Sequence, residues 1–133
     1  MNKKLKFRCK ERVRYSDCDM HQHLNHARYF SFLEQARVDY FKKTGFIKGT
    51  GYKAIPFIIA AAHCDYLAPA HLGDIVEIRL GTTHIGNKSF RIDYEMRDLT
   101  TKTLLATAYT IQVMFDYDKM RSIPVPKILK RKL

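Results

Sequence analysis

Two periodicities run through this chain, and the order in which they occur restricts its fold more than any other feature. Residues 27–43 carry Tyr29, Leu33, Ala36 and Tyr40 at spacings of four, three and four, which is one stripe along a 3.6-residue helix. Asn25 is placed to cap its start, Lys42 and Lys43 suit the negative end of its dipole, and Gly45 can turn left-handed just past it. At about 1.5 Å per residue the helix is roughly 25 Å long. Elsewhere the period is two. Val76, Ile78 and Leu80 share one face of a strand, and Phe90, Ile92, Tyr94 and Met96 share one face of the next, with Gly86-Asn87 as the hairpin turn between them. Another strand spans residues 103–115 after a Thr100-Thr101-Lys102 turn. Following a loop with Gly49, Gly51 and Pro56, residues 57–67 (FIIAAAHCDYL) are apolar almost without alternation, which predicts a strand covered on both faces.

A fifth strand opens the chain. In residues 4–14 every even position is basic (Lys4, Lys6, Arg8, Lys10, Arg12, Arg14), while Leu5, Phe7, Cys9 and Val13 are apolar. The order is therefore strand, long helix, strand, three-stranded meander. One helix cannot cover both faces of five strands, so the predicted layout is α+β, with one antiparallel sheet wrapped around one helix. The end of the chain leaves through IPVP, where Pro124 and Pro126 exclude helix, into a basic tail.

At 133 residues with 46% hydrophobic content the chain is expected to form one domain, residues 1–133, around one core. No apolar run is long enough to span a membrane, and MNKKLKFRCK has no apolar stretch behind its basic residues, so a cytoplasmic protein is expected. Cys9, Cys18 and Cys64 are odd in number and form no C-x-x-C pair, which points to structural thiols rather than disulfides or a zinc knuckle. The net charge of +11 favours acidic partners. Its even-numbered row near the start fits a solvated sheet face, or a docking face for an acidic carrier protein.

Residues 17–26, DCDMHQHLNH, concentrate two carboxylates and three imidazoles just before the helix. A helix start offers free N–H groups and positive potential to whatever lies there. In an extended chain Asp17, Asp19, His21 and His23 would share one side, as metal ligands do, but the chain must bend within two residues to enter the helix at Asn25. No metal is therefore expected. Cys18 is a poor nucleophile, because the flanking Asp17 and Asp19 oppose thiolate formation. Taken singly, each residue also fits a structural role, with Asp17 and Asn25 turning and capping the chain and the histidines exposed.

The run Y-S-D-C-D-M-H-Q-H-L-N-H-A-R-Y-F followed by a helix resembles the hot-dog fold thioesterases of the 4-hydroxybenzoyl-CoA thioesterase type. Its Q-H-L-N-H-A-R-Y portion is similar to the plant acyl-ACP thioesterase motif N-Q-H-V-N-N-V-K-Y. Y-L-A-P-A-H-L-G-D (residues 66–74) and N-K-S-F (residues 87–90) also look like that family, so the resemblance covers nearly the whole chain. It implies a long helix wrapped by an antiparallel sheet, a homodimer or homotetramer in which sheets join edge to edge, and active sites at the dimer interface. Carried over residue by residue, it makes Asp19 the catalytic carboxylate, assisted by His23 and by His21, which replaces the asparagine of the plant enzymes. Gln22 stands where the family often has glycine, and Phe57 and Ile58 stand where the plant enzymes bring an acidic residue.

The chemistry this implies is hydrolysis of an acyl thioester. Backbone N–H groups of His26 and Ala27 would stabilise the oxyanion, each donor typically contributing a few kcal/mol. A carboxylate at the positive end of a helix is a weak base at neutral pH, which favours direct attack by Asp19 through a mixed anhydride over activation of water. His23 is the candidate proton shuttle, and Asn25 shapes the loop. No cofactor is expected beyond the coenzyme A or phosphopantetheine of the substrate, and the cationic surplus is assigned to that substrate or to an acyl-carrier protein, not to nucleic acid. Lys88, with Ser89 beside it, is the expected CoA contact; Arg121, Lys127, Lys130, Arg131 and Lys132 are further cations near the end of the chain. Tyr29, Phe30, Phe57 and Ile59 are candidate pocket-lining residues. Two other readings remain open: a binding module for acyl-CoA or an acidic partner, and a dehydratase or hydratase using Glu34 with a histidine.

Overall fold

The computed structural model describes residues 4–47 and 56–133. Its elements are β1 (Phe7–Arg12), α1 (His26–Thr44), β2 (Phe57–Tyr66), β3 (Ile75–Ile85), β4 (Ser89–Asp98), β5 (Leu104–Asp116), β6 (Arg121–Ser122) and α2 (Lys127–Lys132). Gly49 and Gly51 lie outside the described residues. The strands form one antiparallel sheet in the order β1-β3-β4-β5-β2, with β6 paired to the end of β5. This is the α+β layout of one antiparallel sheet and one long helix that the order of periodicities predicts, and the hot-dog arrangement that the resemblance implies. No helix among the described residues is long and apolar enough to cross a membrane.

The start of α1 is fixed by Asn25, whose side chain accepts from the Ala27 N–H at 3.0 Å. Its end is fixed by Gly45, at φ 79°, whose N–H reaches the Lys42 and Phe41 carbonyls while Phe46 N–H folds back to Phe41 O at 2.8 Å. Between these caps Tyr29, Phe32, Leu33, Ala36, Arg37, Tyr40 and Phe41 are buried. They pack on the inward row Val76, Ile78, Leu80, Phe90, Ile92, Tyr94 and Met96, each at 1% exposure or less. Burying a large apolar side chain contributes about 1.5–3 kcal/mol, so the inward-facing residues of helix and sheet hold each other. Arg37 is covered too, and its Nη1 donates to Tyr94 Oη at 3.2 Å, which is 2.7 Å from Thr110 Oγ1. The even-numbered cations of β1 are exposed as predicted, opposite half-buried Phe7, Cys9 and Glu11.

The structure corrects the reading of β2. Far from being covered on both faces, it is the edge strand beside β5, and most of its residues are exposed. The missing alternation reports that the run from Phe57 to Ala62 carries no charge on either face, not that either face is covered. The tail also differs from expectation: Pro124 and Pro126 do exclude helix between them, but Pro126 caps the short α2 that follows.

Candidate active site

The polar stretch between β1 and α1 folds into a tight hairpin. A single 3-10 turn, Tyr15–Asp17, comes first, with Asp17 Oδ2 accepting from the Arg14 N–H at 3.0 Å. Cys18 then bridges to Leu24, and Asp19 N–H donates to His23 O at 3.0 Å while Gln22 N–H donates to Asp19 O at 3.0 Å. Gln22 takes the left-handed conformation (φ 60°) that closes such a turn, which is why a glycine suits this position. The hairpin breaks the extended D-x-D-x-H-x-H geometry: Asp17 faces Arg14, Asp19 faces its own turn, and no group of three or more His, Cys, Asp or Glu among the described residues could hold a metal ion.

Asp19 is held from one side. Its Oδ1 accepts from the His21 N–H at 2.9 Å and the His23 N–H at 3.4 Å, while Oδ2 has no protein donor among the described residues. One oxygen fixes the carboxylate and the other is left for chemistry. The hairpin is braced by a segment far away in sequence. Leu24 N–H donates to Ala70 O at 2.8 Å, Leu72 N–H to Gln22 O at 3.2 Å, and the His71 ring meets the His23 ring edge-on with centroids 4.9 Å apart. Asp74 secures His71 in turn, accepting its N–H at 2.8 Å.

At the start of α1 the Ala27 N–H is taken by the Asn25 side chain and the Arg28 N–H by the Asn25 carbonyl at 2.8 Å. That removes Ala27 from the expected pair of oxyanion donors. The His26 N–H has no protein acceptor among the described residues, so it is the donor left at this helix end. Asp19, His23, Leu24, His26, Tyr29 and Tyr66 line one open cavity of about 320 Å³, together with Leu67, Ala68 and Pro69. Tyr66 stands edge-on to Tyr29 at 4.8 Å, and its hydroxyl donates to the His26 carbonyl at 3.0 Å. Burial pushes both phenols up, so each stays protonated at neutral pH and neither is a base. The Cys18 thiol is also pushed up, by desolvation and then by Asp17 and Asp19. This matches its expected inertness.

Of the residues singled out in the sequence, Asp19, His23, His26 and Tyr29 meet at this cavity, and Asn25 stands behind it as the helix cap. His21 is exposed, its ring 6.2 Å from that of His23, and does not line the cavity; nor do Phe30 and Glu34, which are exposed on α1. Lys88, Ser89 and Phe57 lie at the opposite end of the sheet. Phe57 begins β2 and Tyr66 ends it, roughly 30 Å away at the rise of a strand. Lys88 and Ser89 belong to the Phe57 end, because Lys88 O accepts from Met114 N–H and Met114 pairs with Phe57. Ile59 is exposed on that edge two positions after Phe57. Tyr66 and His71 were not picked out from the sequence as site residues. Both sit in the Y-L-A-P-A-H-L-G-D stretch, yet their contacts with Tyr29 and His23 are long-range and leave no local pattern.

Residues 13–133 match the model of the thioesterase-like superfamily. The chain belongs to that superfamily. Over 122 residues it is 30% identical to the acyl-CoA thioesterase YbgC of Haemophilus influenzae, covering 90% of this chain and 88% of that one. It is 26% identical to the long-chain acyl-CoA thioesterase FadM of Escherichia coli, with 92% of each chain covered. A Thermus thermophilus thioesterase solved in complex with coenzyme A and Zn superposes with a TM-score of 0.84 at 26% identity, covering 96% of this chain and 97% of that one. The superfamily match includes the whole Asp19 hairpin, α1 and the 66–74 brace, so the elements that build the cavity all lie within it.

Proposed function

We propose that this chain hydrolyses acyl-CoA thioesters in the cavity below the Asp19 hairpin, as a dimer joined through β2. The observation that carries the reading is the pairing in one cavity of a carboxylate with a free oxygen, Asp19 Oδ2, and the residue whose helix-end N–H is free, His26. A thioester carbonyl placed between them would set its oxygen on the His26 N–H and its carbon before Asp19. Direct attack by Oδ2 forms a mixed anhydride and expels the CoA thiolate, which takes a proton from solvent through His23; water then cleaves the anhydride to the free acid and restores Asp19. Tyr29 and Tyr66 give the acyl group apolar walls. The relatives named for acyl-CoA thioesterase activity support CoA as the thiol.

The dimer is favoured by β2 itself. An edge strand without a charged residue from Phe57 to Ala62, with Ile58 and Ile59 39% and 42% exposed, is the kind of edge that natural proteins cover. Antiparallel pairing of two β2 strands about a two-fold axis would carry exposed Ile59 with Lys88 and Ser89 of one copy, beside the buried Phe57, towards the Asp19 and Tyr66 end of the other. Such a site would unite the two groups of residues that a single chain keeps apart.

Incubation with a panel of acyl-CoAs and a thiol-trapping dye tests the activity: thiol release is expected, and tight binding without release would make the chain a binding module. Quenching turnover with hydroxylamine tests the route. A hydroxamate on Asp19 marks the anhydride, whereas turnover without it leaves Asp19 as a base for water. Activity is expected to survive dialysis against a strong chelator, and a loss that zinc restores would sink the metal-free mechanism.

A further inference from the structure

The segment that braces the Asp19 hairpin is a turn with its own anchoring. Residues 71–74 close it: Asp74 N–H donates to His71 O at 3.0 Å, and Gly73, at φ 89°, takes the left-handed third position that such a turn gives to glycine. Gly73 N–H donates to Val13 O and Val13 N–H to Asp74 O, both at 2.9 Å, and Val13 is fully buried. Asp74 Oδ2 accepts the His71 N–H at 2.8 Å and lies 3.6 Å from Nδ1 of the His71 ring. His71 therefore stands on a fixed platform, with a carboxylate behind its ring.

That platform meets the hairpin at His23, which lies directly opposite His71 in an antiparallel bridge. The flanking bonds, Leu24 N–H to Ala70 O at 2.8 Å and Leu72 N–H to Gln22 O at 3.2 Å, leave His23 and His71 as a pair with no hydrogen bond between their own backbones. In such pairs the side chains approach most closely, and here the rings meet edge-on with centroids 4.9 Å apart. Nothing polar orients the His23 ring, because neither of its nitrogens has a hydrogen-bond partner among the described residues. The His21 ring is further off, at 6.2 Å. His23 lines the Asp19 cavity and His71 does not.

We propose that His71 is the positioning residue for His23: its ring holds the His23 imidazole in the rotamer that borders the cavity, while both His23 nitrogens stay free for proton transfer. The proposal deepens the hydrolytic reading and rests on it, since it takes His23 as the group that passes a proton to the leaving thiolate. Asp74 acts one step further back, by fixing the His71 ring, as a third group orients a base in other hydrolytic sites. An unbraced side chain has three staggered χ1 wells, so equal filling would leave only about a third of the molecules with the imidazole at the cavity. Loss of the brace should then lower kcat about threefold or more, and substrate binding, which needs no proton donor, should change little.

The test reads the χ1 rotamer of His23 from three-bond couplings in the isotope-labelled full chain, with kcat and KM for an acyl-CoA measured beside it. The parent chain and His71→Phe, which keeps a ring at the contact, should each show a single His23 rotamer, and His71→Ala should show averaging. In His71→Ala kcat should fall about threefold or more with KM within about twofold, and His71→Phe should recover most of that loss. The amide shifts of Leu24 and Leu72 should stay in place, because the bonds that join hairpin and brace belong to the backbone. If those amides move as well, His71 is a structural brace of the whole hairpin and the narrower role falls. A single His23 rotamer in His71→Ala would overturn the proposal, and so would averaging with kcat unchanged. Equal losses of kcat in His71→Ala and His71→Phe would overturn it by assigning the effect to the polar pairing of His71 with Asp74 rather than to its ring. Should the parent chain release no thiol from any acyl-CoA, the hydrolytic reading fails by itself, and the rotamer comparison still decides whether His71 holds His23.

Discussion

Where β2 begins, Phe41, Phe46, Phe57 and Phe90 close on one another with ring centroids 4.8 to 6.1 Å apart and all four rings buried. Where β2 ends, Tyr66 borders an open cavity whose polar groups are held by backbone hydrogen bonds of a hairpin and its brace. One end of the sheet is packed and the other is wired. Packing excludes water and contributes stability; the wired end leaves a carboxylate oxygen and a helix N–H, both on exposed residues, without protein partners among the described residues and so open to a substrate. Substitutions at the two ends should therefore fail in different ways.

The largest effect is expected at the packed end. Phe57→Ala empties a site surrounded by three other rings and should cost about 3–5 kcal/mol of unfolding free energy, read as a lower denaturant midpoint at constant slope. Protein that remains folded should keep its turnover number. If stability is instead preserved and only acyl-chain preference changes, Phe57 lines the substrate pocket and the contrast between the ends is wrong.

Next comes Asp19→Asn, which keeps the shape of the side chain but removes its charge. kcat should fall at least about a hundredfold, near 2.7 kcal/mol, with substrate binding and the denaturant midpoint little changed. Near-normal turnover in this variant, combined with loss in Glu34→Gln, would move the catalytic carboxylate onto α1.

How much of this was legible beforehand depended on how local each signal is. Asn25, Lys42, Lys43 and Gly45 act within a turn of the backbone they cap, and the structure has α1 beginning and ending beside them. The alternating rows of β3 and β4 report burial directly, and every residue named as inward is buried. The nearly unalternating run of β2 misled: from Phe57 to Ala62 it carries no charge, but that does not say what lies against the strand, which is mostly exposed at the sheet edge. Asp19 and His23 stood out by their density before a helix and by family likeness, whereas Tyr66 and His71 reach the site only through the fold. The separation of Lys88 from Asp19 was beyond reach for the same reason. No spacing along the chain says which end of a sheet a hairpin occupies.

A smaller effect should follow from Ala62→Arg, which places a charge on the exposed edge of β2 without touching either end. If the two ends work together through paired β2 strands, sedimentation should show a monomer and kcat/KM for acyl-CoA should fall about tenfold or more while the fold persists. An active monomer would mean that the Asp19 cavity is sufficient by itself and that Lys88 and Ser89 have no part in it.

The smallest effect is expected from Asp17→Asn, and it makes the sharpest control because Asp17 is two positions from Asp19 in the same hairpin. Its Oδ2 accepts from the Arg14 N–H at 3.0 Å, and its own carbonyl accepts from the Asn25 N–H at 2.9 Å. An asparagine oxygen can accept the first bond, and the second belongs to the backbone and is untouched, so the turn should survive. Asp17 does not border the Asp19 cavity, so no reacting atom meets the altered group. Turnover within about threefold of the parent protein is expected, against a hundredfold or more for Asp19→Asn, and that gap separates a positioned reactive carboxylate from a merely acidic loop. Equal losses in the two variants would show that the hairpin depends on its total charge, and the assignment of chemistry to one oxygen of Asp19 would fall with that result.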